Sequence, residues 1–343
     1  MPRLSPTSRL LVTGGAGFIG SAVCRSFARA GWTVCNVDKL TYAANLDNLR
    51  EVEGDSRYHF VRADICDRET MRTIFAEFQP DAVMHLAAES HVDRSIEDAN
   101  AFVQTNVMGT VGLLRVALDY WTARDKPEAF RFHHVSTDEV YGDLPLDGGE
   151  RFKEGTPYNP SSPYSASKAA SDFMAMSWHR TFGLPVVLSN CSNNYGPYQH
   201  KEKLIPLMII QGLSGDFLPV YGNGKNVRDW LHVDDHVEAL ELVLTRGVIG
   251  HRYNIGGGNE WANIDVIKHI CSYLDEYARV GSGSHHDLIR YVADRPGHDL
   301  RYAIDYTKLE REFGWRPRHN FETGLSETVK WYIDNRWWWE RHQ

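Results

Sequence analysis

Short apolar runs alternate with longer segments in which apolar residues recur at helical spacing. The first run, Leu10–Thr13, precedes an amphipathic segment from Phe18 to Ala30 and a second run that ends at Asp38. Such runs are typical of buried strands, and such segments of helices. Further strands are predicted in YHFVRADI, DAVMHLAA, FRFHHVST and PVVLSNCS, and further helices in ETMRTIFAEFQ, NAFVQTNVMGTVGLLRVALDYW and YSASKAASDFMAMSWHRTFG. The alternation predicts an α/β fold with a doubly wound parallel sheet.

The pattern is less regular from about Asn194 onward. Segments such as LPVYGNGKNVRDWLHVDD alternate there with helical ones such as DHVEALELVLTR and NIDVIKHICSYLDEYA. We therefore predict two domains. Residues 1–193 form the sheet domain, and residues 194–343 form a smaller α/β region that packs over the mouth of the sheet and binds the substrate. Some segments are expected to be interwoven between the two.

Composition narrows the possible partners and the cellular compartment. A formal net charge of −8 over 343 residues argues against nucleic acid or an anionic membrane as partner. The five cysteines are scattered without a Cys-x-x-Cys pair, which favours free thiols in a reducing cytoplasm. The N-terminal stretch is polar, unlike a signal peptide, and no stretch is expected to span a membrane. The histidines lack the spacing of metal ligands, so no metal site is expected.

A glycine-rich stretch, TGGAGFIGS, joins the first predicted strand to the first helix. Gly14 allows a tight turn, Gly17 lets the backbone approach a diphosphate, and Gly20 permits close packing of helix and strand. The N-terminus of the helix offers its free N–H groups to the phosphates. Asp38 ends the second strand, where a carboxylate can bind ribose hydroxyls and favours NAD over NADP. This pattern predicts a Rossmann-type dinucleotide site rather than a purely structural turn.

Residues near these positions are expected to line the same cofactor site. Asp64 and Ile65 follow the third predicted strand, and the small residues Ala87 and Ala88 follow the fourth. Ordinary packing is the alternative for each of them. Besides the glycines and Asp38, the residues expected to contact the cofactor are Phe18, Ile19, Lys39, Asp64, Ile65, Leu86, Ala87, Ala88, Tyr164 and Lys168.

The stretch YSASK places Tyr164 and Lys168 four residues apart, on one face of a helix that Pro163 begins. A nearby ammonium and a nicotinamide cation would lower the pKa of the phenol from about 10, so that it could act as a general base. Thr137, at the end of its strand, could hydrogen-bond the same substrate hydroxyl. The alternative is a surface Tyr and Lys, but the preceding dinucleotide loop favours catalysis.

Two acids, Asp138 and Glu139, follow Thr137 at the end of a strand with a buried pattern. Carboxylates are rare in strands and costly to bury without a partner. The two acids therefore either lie in a surface loop or take part in the chemistry. On the residues alone, a surface loop is slightly favoured.

Together these motifs resemble the extended short-chain dehydrogenases/reductases that act on nucleotide sugars, from about Arg9 to Trp339. The pair Asp138 and Glu139 is similar to that of the 4,6-dehydratases, whereas the 4-epimerases carry small uncharged residues there. The stretches AAESHVDRSI, NNYGPYQ, EKLIPLMI, RDWLHVDDH, YNIGGGNEWANIDV and DRPGHDLRYAID also resemble the 4,6-dehydratases.

The resemblance implies an NAD-dependent hydro-lyase that converts dTDP-glucose to dTDP-4-keto-6-deoxyglucose and water. Tyr164 would take the C4 hydroxyl proton during oxidation, with Thr137 and Lys168 beside it. Glu139 would then take the C5 proton while Asp138 protonates the departing C6 hydroxyl, and tightly held NADH would return its hydride to C6. Adjacent carboxyls can hold opposite protonation states when their surroundings differ.

The resemblance also implies a set of substrate-binding residues. They are Asn193, Arg228, Asn263, Arg295 and His298 at or near the diphosphate, Lys203, Leu204, Pro219 and Tyr221 at the base, and Glu89, His91 and Arg94 at the sugar. An ordinary solvated polar residue is the alternative for each.

One departure from the family pattern bears on the substrate. His200 and Lys201 lie beside the expected base-binding segment, which leaves CDP- or UDP-glucose as alternatives. The acid pair disfavours a 4-epimerase, and the Tyr–Lys pair disfavours a non-catalytic cofactor sensor. The helices predicted around Asn106–Tyr120 and Tyr164–Phe182 resemble those that pair in family dimers, so a homodimer is expected. Trp337–Trp339 are interpreted as packing.

Overall fold

The computed structural model describes residues 4–5, 7–278, 283–294 and 296–340. Within these ranges the strands, numbered along the chain, are β1 (Arg9–Thr13), β2 (Thr33–Asp38), β3 (Tyr58–Arg62), β4 (Ala82–His85), β5 (Arg131–Thr137), β6 (Val186–Cys191), β7 (Asn193–Tyr195), β8 (Leu218–Tyr221), β9 (Val227–His232), β10 (Arg252–Ile255), β11 (Glu260–Ala262) and β12 (Ile289–Val292). The α-helices are α1 (Phe18–Arg29), α2 (Arg68–Phe78), α3 (Val92–Glu97), α4 (Ala99–Phe102), α5 (Thr110–Ala123), α6 (Pro163–Phe182), α7 (Leu204–Ser214), α8 (Val233–Arg246), α9 (Asn263–Tyr277), α10 (Thr307–Phe313), α11 (Phe321–Asp334) and α12 (Arg336–Glu340).

A central sheet of seven strands has the order β10-β6-β5-β4-β1-β2-β3. Every pair of neighbours in it is parallel, as in β1 against β2 and β4. The strand order reverses direction between β1 and β4, and ligands of such sheets bind at the carboxyl ends of the strands beside that point. The predicted doubly wound parallel sheet is confirmed.

Helices cover both faces of this sheet because successive strand residues point to opposite sides. Leu10 and Val12 of β1 belong to one buried apolar cluster, which includes Phe27 of α1 and Val237 of α8. Leu11, between them, belongs to a second cluster on the other face, with residues of α2 and α5.

The smaller region carries a three-stranded sheet, β11-β9-β7, and a two-stranded sheet, β12-β8. Its own core joins α7, α9 and α11 around aromatic residues such as Tyr195, Trp230 and Phe321. The two regions are interwoven, since β10 pairs with β6 in the central sheet although it follows residue 193. Helix α8 packs on the same sheet.

The long helix predicted from Asn100 to Trp121 is interrupted by a wider turn. It consists of α4, a π-helical segment (Val103–Gly109) and α5. The helical run Ala99–Ala123 is long and apolar enough to cross a membrane by length and composition alone, which the sequence analysis did not anticipate. However, 61% of its most apolar window is buried inside the protein, as in a core helix.

Candidate active site

A cavity of about 320 Å³ opens at the carboxyl ends of β1, β4 and β5. It brings together every residue predicted to bind the cofactor or to act in catalysis. These are Gly14, Gly17, Phe18, Ile19, Gly20, Asp38, Lys39, Asp64, Ile65, Leu86, Ala87, Ala88, Thr137, Asp138, Glu139, Tyr164 and Lys168. Of the predicted substrate residues, Glu89, Asn193 and Lys203 also line it.

The glycine loop is shaped so that side chains are excluded from two of its positions. Gly14 has a φ of +76°, and a Cβ there would lie 2.8 Å from the backbone of Ala87. A Cβ on Gly20 would lie 2.1 Å from the carbonyl oxygen of Gly14. Gly17 precedes α1 without a side-chain cap from any described residue, so the first amides of the helix face the cavity. This arrangement fits a dinucleotide diphosphate.

Asp38 shapes the loop as well as lining the cavity. Its Oδ2 accepts a hydrogen bond from the amide of Ala16 (3.0 Å) and its Oδ1 from that of Leu40 (2.8 Å). Burial raises the pKa of this carboxyl above its ordinary value. The side chain of Lys39 lies 3.7 Å from Asp64 and 3.8 Å from Glu89. The second strand therefore ends in a polar cluster at the rim of the cofactor site.

Helix α6 places Tyr164 and Lys168 at the cavity through a well-capped N-terminus. Ser162 and Ser165 form a capping box, and Pro163 occupies the first turn, where its missing N–H is not needed. The Lys168 ammonium is buried and donates to the carbonyl oxygen of Val135 at 2.9 Å. The tyrosine and the lysine thus meet the end of β5 as the sequence predicted.

Asp138 and Glu139 begin a short 3₁₀ turn directly after β5. Asp138 is only 1% exposed, and its Oδ2 has no hydrogen-bond partner among the described residues. Burial, followed by the charges of Glu139 and Asp229, raises the pKa of Asp138 well above its ordinary value. The pair therefore lies in the cavity and not in a surface loop, and Asp138 is suited to hold a proton at neutral pH.

The groups of the protein itself raise the pKa of Tyr164, whereas the predicted lowering included the charge of a nicotinamide cation. Burial raises this pKa well above its ordinary value, the carboxylate of Glu139 adds to this, and the Thr137 hydroxyl acts the other way. The Lys168 ammonium points to Val135 instead. Because the protein's own groups favour the phenol, the lowering that general-base catalysis needs has to come from a cofactor cation.

A buried carboxylate behind Lys168 escaped the sequence analysis. Asp172 accepts hydrogen bonds from His134 (3.1 Å) and Tyr158 (2.8 Å) and one from the Asn190 amide (3.2 Å). These donors and nearby charges hold its pKa below the ordinary value despite burial. The available signal was its position, four residues after Lys168 on the same helix face.

The predicted diphosphate residues lie on the smaller region. Arg228 of β9 is buried and donates to the Asp299 carbonyl oxygen at 3.0 Å. Its positive charge offsets part of the rise in the pKa of Asp138. Asn263 follows β11, which pairs antiparallel with β9. The Oδ1 atoms of Asn193 and Asn263 are buried without a partner among the described residues. Unpartnered buried polar atoms of this kind suit a polar ligand.

The remaining predicted substrate residues that the structure describes do not line the cavity. His91 and Arg94 lie 3.5 and 3.7 Å from Glu202, and the Arg94 guanidinium covers the ring of Tyr42. These contacts place the two basic side chains at a polar rim beside the cavity. Leu204 begins α7, Pro219 and Tyr221 lie on β8, and His298 bonds Asp294 at 2.6 Å. Arg295 lies outside the described residues.

Several lining residues were not predicted. They are Val37, Thr41, Ala43, Ala44, Ala63, Ser90, Thr105, Val135, Ser136, Cys191, Ser192, Asn194, Gln199 and His200. Cys191 ends β6, next to β5, so its position at a strand end was the available signal. Val37, Val135, Ser136 and Asn194 also lie on strands. The others lie in loops or in the π-helical segment, and their positions depend on tertiary packing.

One group of side chains has the composition of a metal site. His232, Asp234 and His319 bring potential ligand atoms within 4.8 Å of one another. The two imidazole rings stack with centroids 3.9 Å apart and planes 23° apart. Because imidazole lone pairs lie in the ring plane, stacked rings do not direct them at one ion. The group is therefore better described as a stacked pair beside Asp235, which lies 3.0 Å from His319.

Comparisons with known proteins show the family of this chain. The family profile described as GDP-mannose 4,6 dehydratase matches residues 11–328. A dTDP-glucose 4,6-dehydratase of Neisseria meningitidis is 58% identical over 97% of this chain and 95% of its own length. A dTDP-glucose 4,6-dehydratase of Bacillus anthracis, solved in complex with NAD, is 43% identical, with a TM-score of 0.87 over 98% of this chain and 100% of that one.

A more distant structure shows how far the fold extends. A UDP-glucose 4-epimerase of Thermotoga maritima is 28% identical, with a TM-score of 0.84 over 96% of this chain and 99% of that one. This chain thus shares its fold with a 4-epimerase, but its sequence identity to the two 4,6-dehydratases is higher. The predicted resemblance is confirmed, and the chain belongs to the GDP-mannose 4,6-dehydratase family.

Proposed function

We propose that this protein converts dTDP-glucose to dTDP-4-keto-6-deoxyglucose and water, with NAD as a cofactor that ends each cycle unchanged. The observation that carries the proposal is the shared cavity of the glycine loop, Tyr164 and the acid pair Asp138–Glu139. An oxidoreductase or epimerase site needs the first two features. Only elimination of water needs an added base and an added acid.

The glycine loop, the first amides of α1 and Asp38 would hold the dinucleotide, with Tyr164 and Lys168 near its reactive end. When bound, NAD accepts a hydride from C4 of the glucosyl ring and later returns a hydride to C6. Asp38 favours free ribose hydroxyls over a 2′-phosphate, because a second anion beside a buried carboxylate is repelled.

Tyr164 takes the proton of the C4 hydroxyl in the first step. Thr137, at the end of β5, orients that hydroxyl. The positive charge of a bound nicotinamide would favour the phenolate, and the buried Lys168 ammonium lies one helical turn away on the same helix. A ketone at C4 acidifies the proton on C5. This first step therefore prepares the elimination.

Glu139 removes the C5 proton, and Asp138 donates a proton to the departing C6 hydroxyl, which leaves as water. The burial of Asp138 supports this division, since it raises the pKa of the carboxyl and so favours its protonated form. Glu139 then reprotonates C5 after reduction at C6. The product keeps its C4 ketone, so Tyr164 cannot return its proton to the C4 oxygen. Tyr164 instead releases this proton to solvent, and Asp138 takes up one proton from solvent, which closes the proton balance.

The substrate diphosphate is assigned to the buried Arg228 and to the side-chain amides of Asn193 and Asn263, whose NH2 groups can donate to phosphate oxygens. A guanidinium suits a diphosphate because it offers several donors in one plane. Lys203, Leu204, Pro219 and Tyr221 are assigned to the base. Arg295, outside the described residues, stays a predicted diphosphate ligand, with His298 nearby. Residues 1–193 supply the cofactor and catalytic groups, and residues 194–343 supply mainly the substrate side.

We further propose that the protein is a cytoplasmic homodimer. Apolar side chains on the π-helical segment and on α6, including Met108 and Phe173, are exposed in the single chain. The two helical segments pack side by side and so form one apolar face. A face of this kind is typical of a protein–protein contact, and a second copy would cover it.

Mass spectrometry of purified protein incubated separately with dTDP-, UDP- and CDP-glucose tests the function. We expect the product to be lighter than dTDP-glucose by one water, without consumption of added NAD. Dehydration of UDP- or CDP-glucose but not of dTDP-glucose would change the assigned nucleotide, and the segment around His200 would be the expected cause. An epimer of unchanged mass would refute the roles of Asp138 and Glu139.

A further inference from the structure

The C-terminal helix α12 reaches across the molecule to the cofactor domain. Its Trp338 is buried, and the indole N–H donates to the Oδ1 atom of Asn48 at 2.7 Å. Asn48 belongs to a 3₁₀ turn that follows β2, and 290 residues separate the two partners. The hydrogen bond therefore joins the end of the chain to its first nucleotide-binding segment.

Asn48 passes this contact on to the glycine loop. Its Nδ2 donates to the carbonyl oxygen of Ala16 at 3.1 Å, and Ala16 lies between Gly14 and Gly17. The same carbonyl accepts the amide of Asn45 at 2.9 Å. Asn48 is 2% exposed, so water cannot readily replace either partner of its amide.

The direction of the Asn48 amide decides whether the loop is held. An indole N–H can only donate, so Trp338 requires the amide oxygen to face it. The amide nitrogen must then face Ala16, whose carbonyl oxygen can only accept. A reversed amide would place its NH2 group against the indole N–H of Trp338 and its oxygen against the carbonyl oxygen of Ala16. Neither hydrogen bond could then form, which is costly at a buried site.

A second contact links the same C-terminal segment to α1. Arg25 of α1 donates to the carbonyl oxygen of Asn48, and its guanidinium lies 4.4 Å from the centre of the Tyr198 ring. Tyr198 packs against Trp331 and Trp338, with centroids 4.6 and 5.8 Å away. The aromatic cluster thus encloses the helix whose N-terminus faces the cavity.

We propose that Trp338 is a positioning residue for the dinucleotide site: through Asn48 it holds the glycine loop in the conformation that presents its amides to the diphosphate. Trp338 contacts no cofactor itself. The proposal rests on the proposed dinucleotide site but goes beyond the reaction, since it assigns the C-terminal helix to cofactor retention.

Two matched variants test this role. Trp338→Phe removes the N–H that reaches Asn48, whereas Trp339→Phe removes an N–H that donates to Tyr332 within the C-terminal region (2.9 Å). Calorimetric titration of the NAD-free variants would measure Kd, and gel filtration of the purified proteins would measure the NAD retained. We expect Trp338→Phe to weaken NAD binding by about threefold to tenfold, the worth of one net hydrogen bond, and Trp339→Phe to leave it unchanged.

A third variant keeps the proposal testable if Trp338→Phe folds poorly. Asn48→Asp retains an acceptor for Trp338 but cannot donate to Ala16, so we expect it to weaken NAD binding at least as much. If both act through one hydrogen-bond chain, the double variant should bind NAD no more weakly than Asn48→Asp alone. Equal NAD affinity in Trp338→Phe and Trp339→Phe, or fully additive losses in the double variant, would overturn the proposal.

These outcomes are distinct from failure of the proposed function. Wild-type protein that binds NAD but dehydrates no sugar nucleotide would refute the function and leave the comparison of the tryptophan variants intact. Wild-type protein that binds NADP instead would refute the cofactor assignment, and the same comparison made with NADP would then decide the role of Trp338.

Discussion

Asp138 and Glu139 are neighbours in sequence, but their surroundings differ. Asp138 points into the protein, where burial holds its proton. Glu139 follows it in the 3₁₀ turn and is less deeply buried. Two carboxyls with separated proton affinities are what a combined acid and base requires.

Replacement of Glu139 by glutamine should separate oxidation from dehydration. Glutamine keeps the shape but cannot take the C5 proton, so we expect dehydration to fall by about a hundredfold or more. Oxidation at C4 should persist, because Tyr164 is unchanged. Rapid mixing with dTDP-glucose, followed through the absorbance of reduced nicotinamide, would show reduced cofactor that accumulates. Wild-type turnover in this variant would remove Glu139 from the mechanism.

Asp138→Asn should change how stability depends on pH. The folded protein binds the Asp138 proton more tightly than the unfolded chain, whose carboxyl titrates near pH 3.9. The free energy of unfolding of the wild type therefore decreases as the pH rises from about 4 toward the raised pKa. The asparagine variant has no proton to lose at this position, so its free energy of unfolding does not show this decrease. Urea unfolding at about pH 4 and pH 7 would show the variant gaining relative stability at the higher pH. Parallel pH profiles for the two proteins would contradict the burial of an unpaired acid.

The sequence predicted residues at strand ends better than residues in contact with distant segments. Thr137 and Asp38 could be placed because a parallel sheet brings the carboxyl ends of its strands to one edge. Arg94 could not, since its orientation toward Glu202 and Tyr42 depends on how the segment before α7 folds over the cavity. The same holds for the pKa of Tyr164, which depends on burial by the whole site.

At the scale of elements, the π-helical segment Val103–Gly109 is the main departure from prediction. Apolar spacing does not reveal one wider turn, because its stability comes from tertiary contacts. Asn106 in this segment bonds the backbone of Glu89 in both directions and donates to Ser167 of α6 at 2.9 Å. The wider turn thus joins the loop after β4 to the helix that carries Tyr164.

The cap of α6 should affect activity as well as stability. Ser162 accepts the amide of Ser165 one turn from Tyr164, and its replacement by alanine should cost about 1 kcal/mol. Asn320→Ala is the matched control, since Asn320 caps α11 in the smaller region through the amide of Glu322. We expect both variants to lose similar unfolding free energy in urea, and only Ser162→Ala to lose kcat severalfold. An equal fall of kcat in both would mean that the cap acts through stability alone.

At the scale of the whole molecule, the interwoven regions explain why a cavity between them can be rigid. The strand β10 and helix α8 return from the smaller region to the central sheet, and α12 packs on the turn that follows β2. Domains joined by one linker move freely, whereas several crossings fix their relation. Asp138 and Glu139, directly after β5, and Arg228 on β9 can therefore keep a constant spacing.

The exposed apolar face provides the test of oligomeric state. Phe173 of α6 is 55% exposed. Phe217, which precedes β8 and belongs to neither of the two helical segments, is 56% exposed and serves as the control. A glutamate at Phe173 would bury a charge if a second copy covers this face, whereas a glutamate at Phe217 would stay in water. Light scattering after gel filtration should give twice the 39.1 kDa chain mass for wild type and Phe217→Glu, and the mass of one chain for Phe173→Glu. A dimer that survives Phe173→Glu would place the contact on another surface, and a wild-type monomer would exclude the dimer itself.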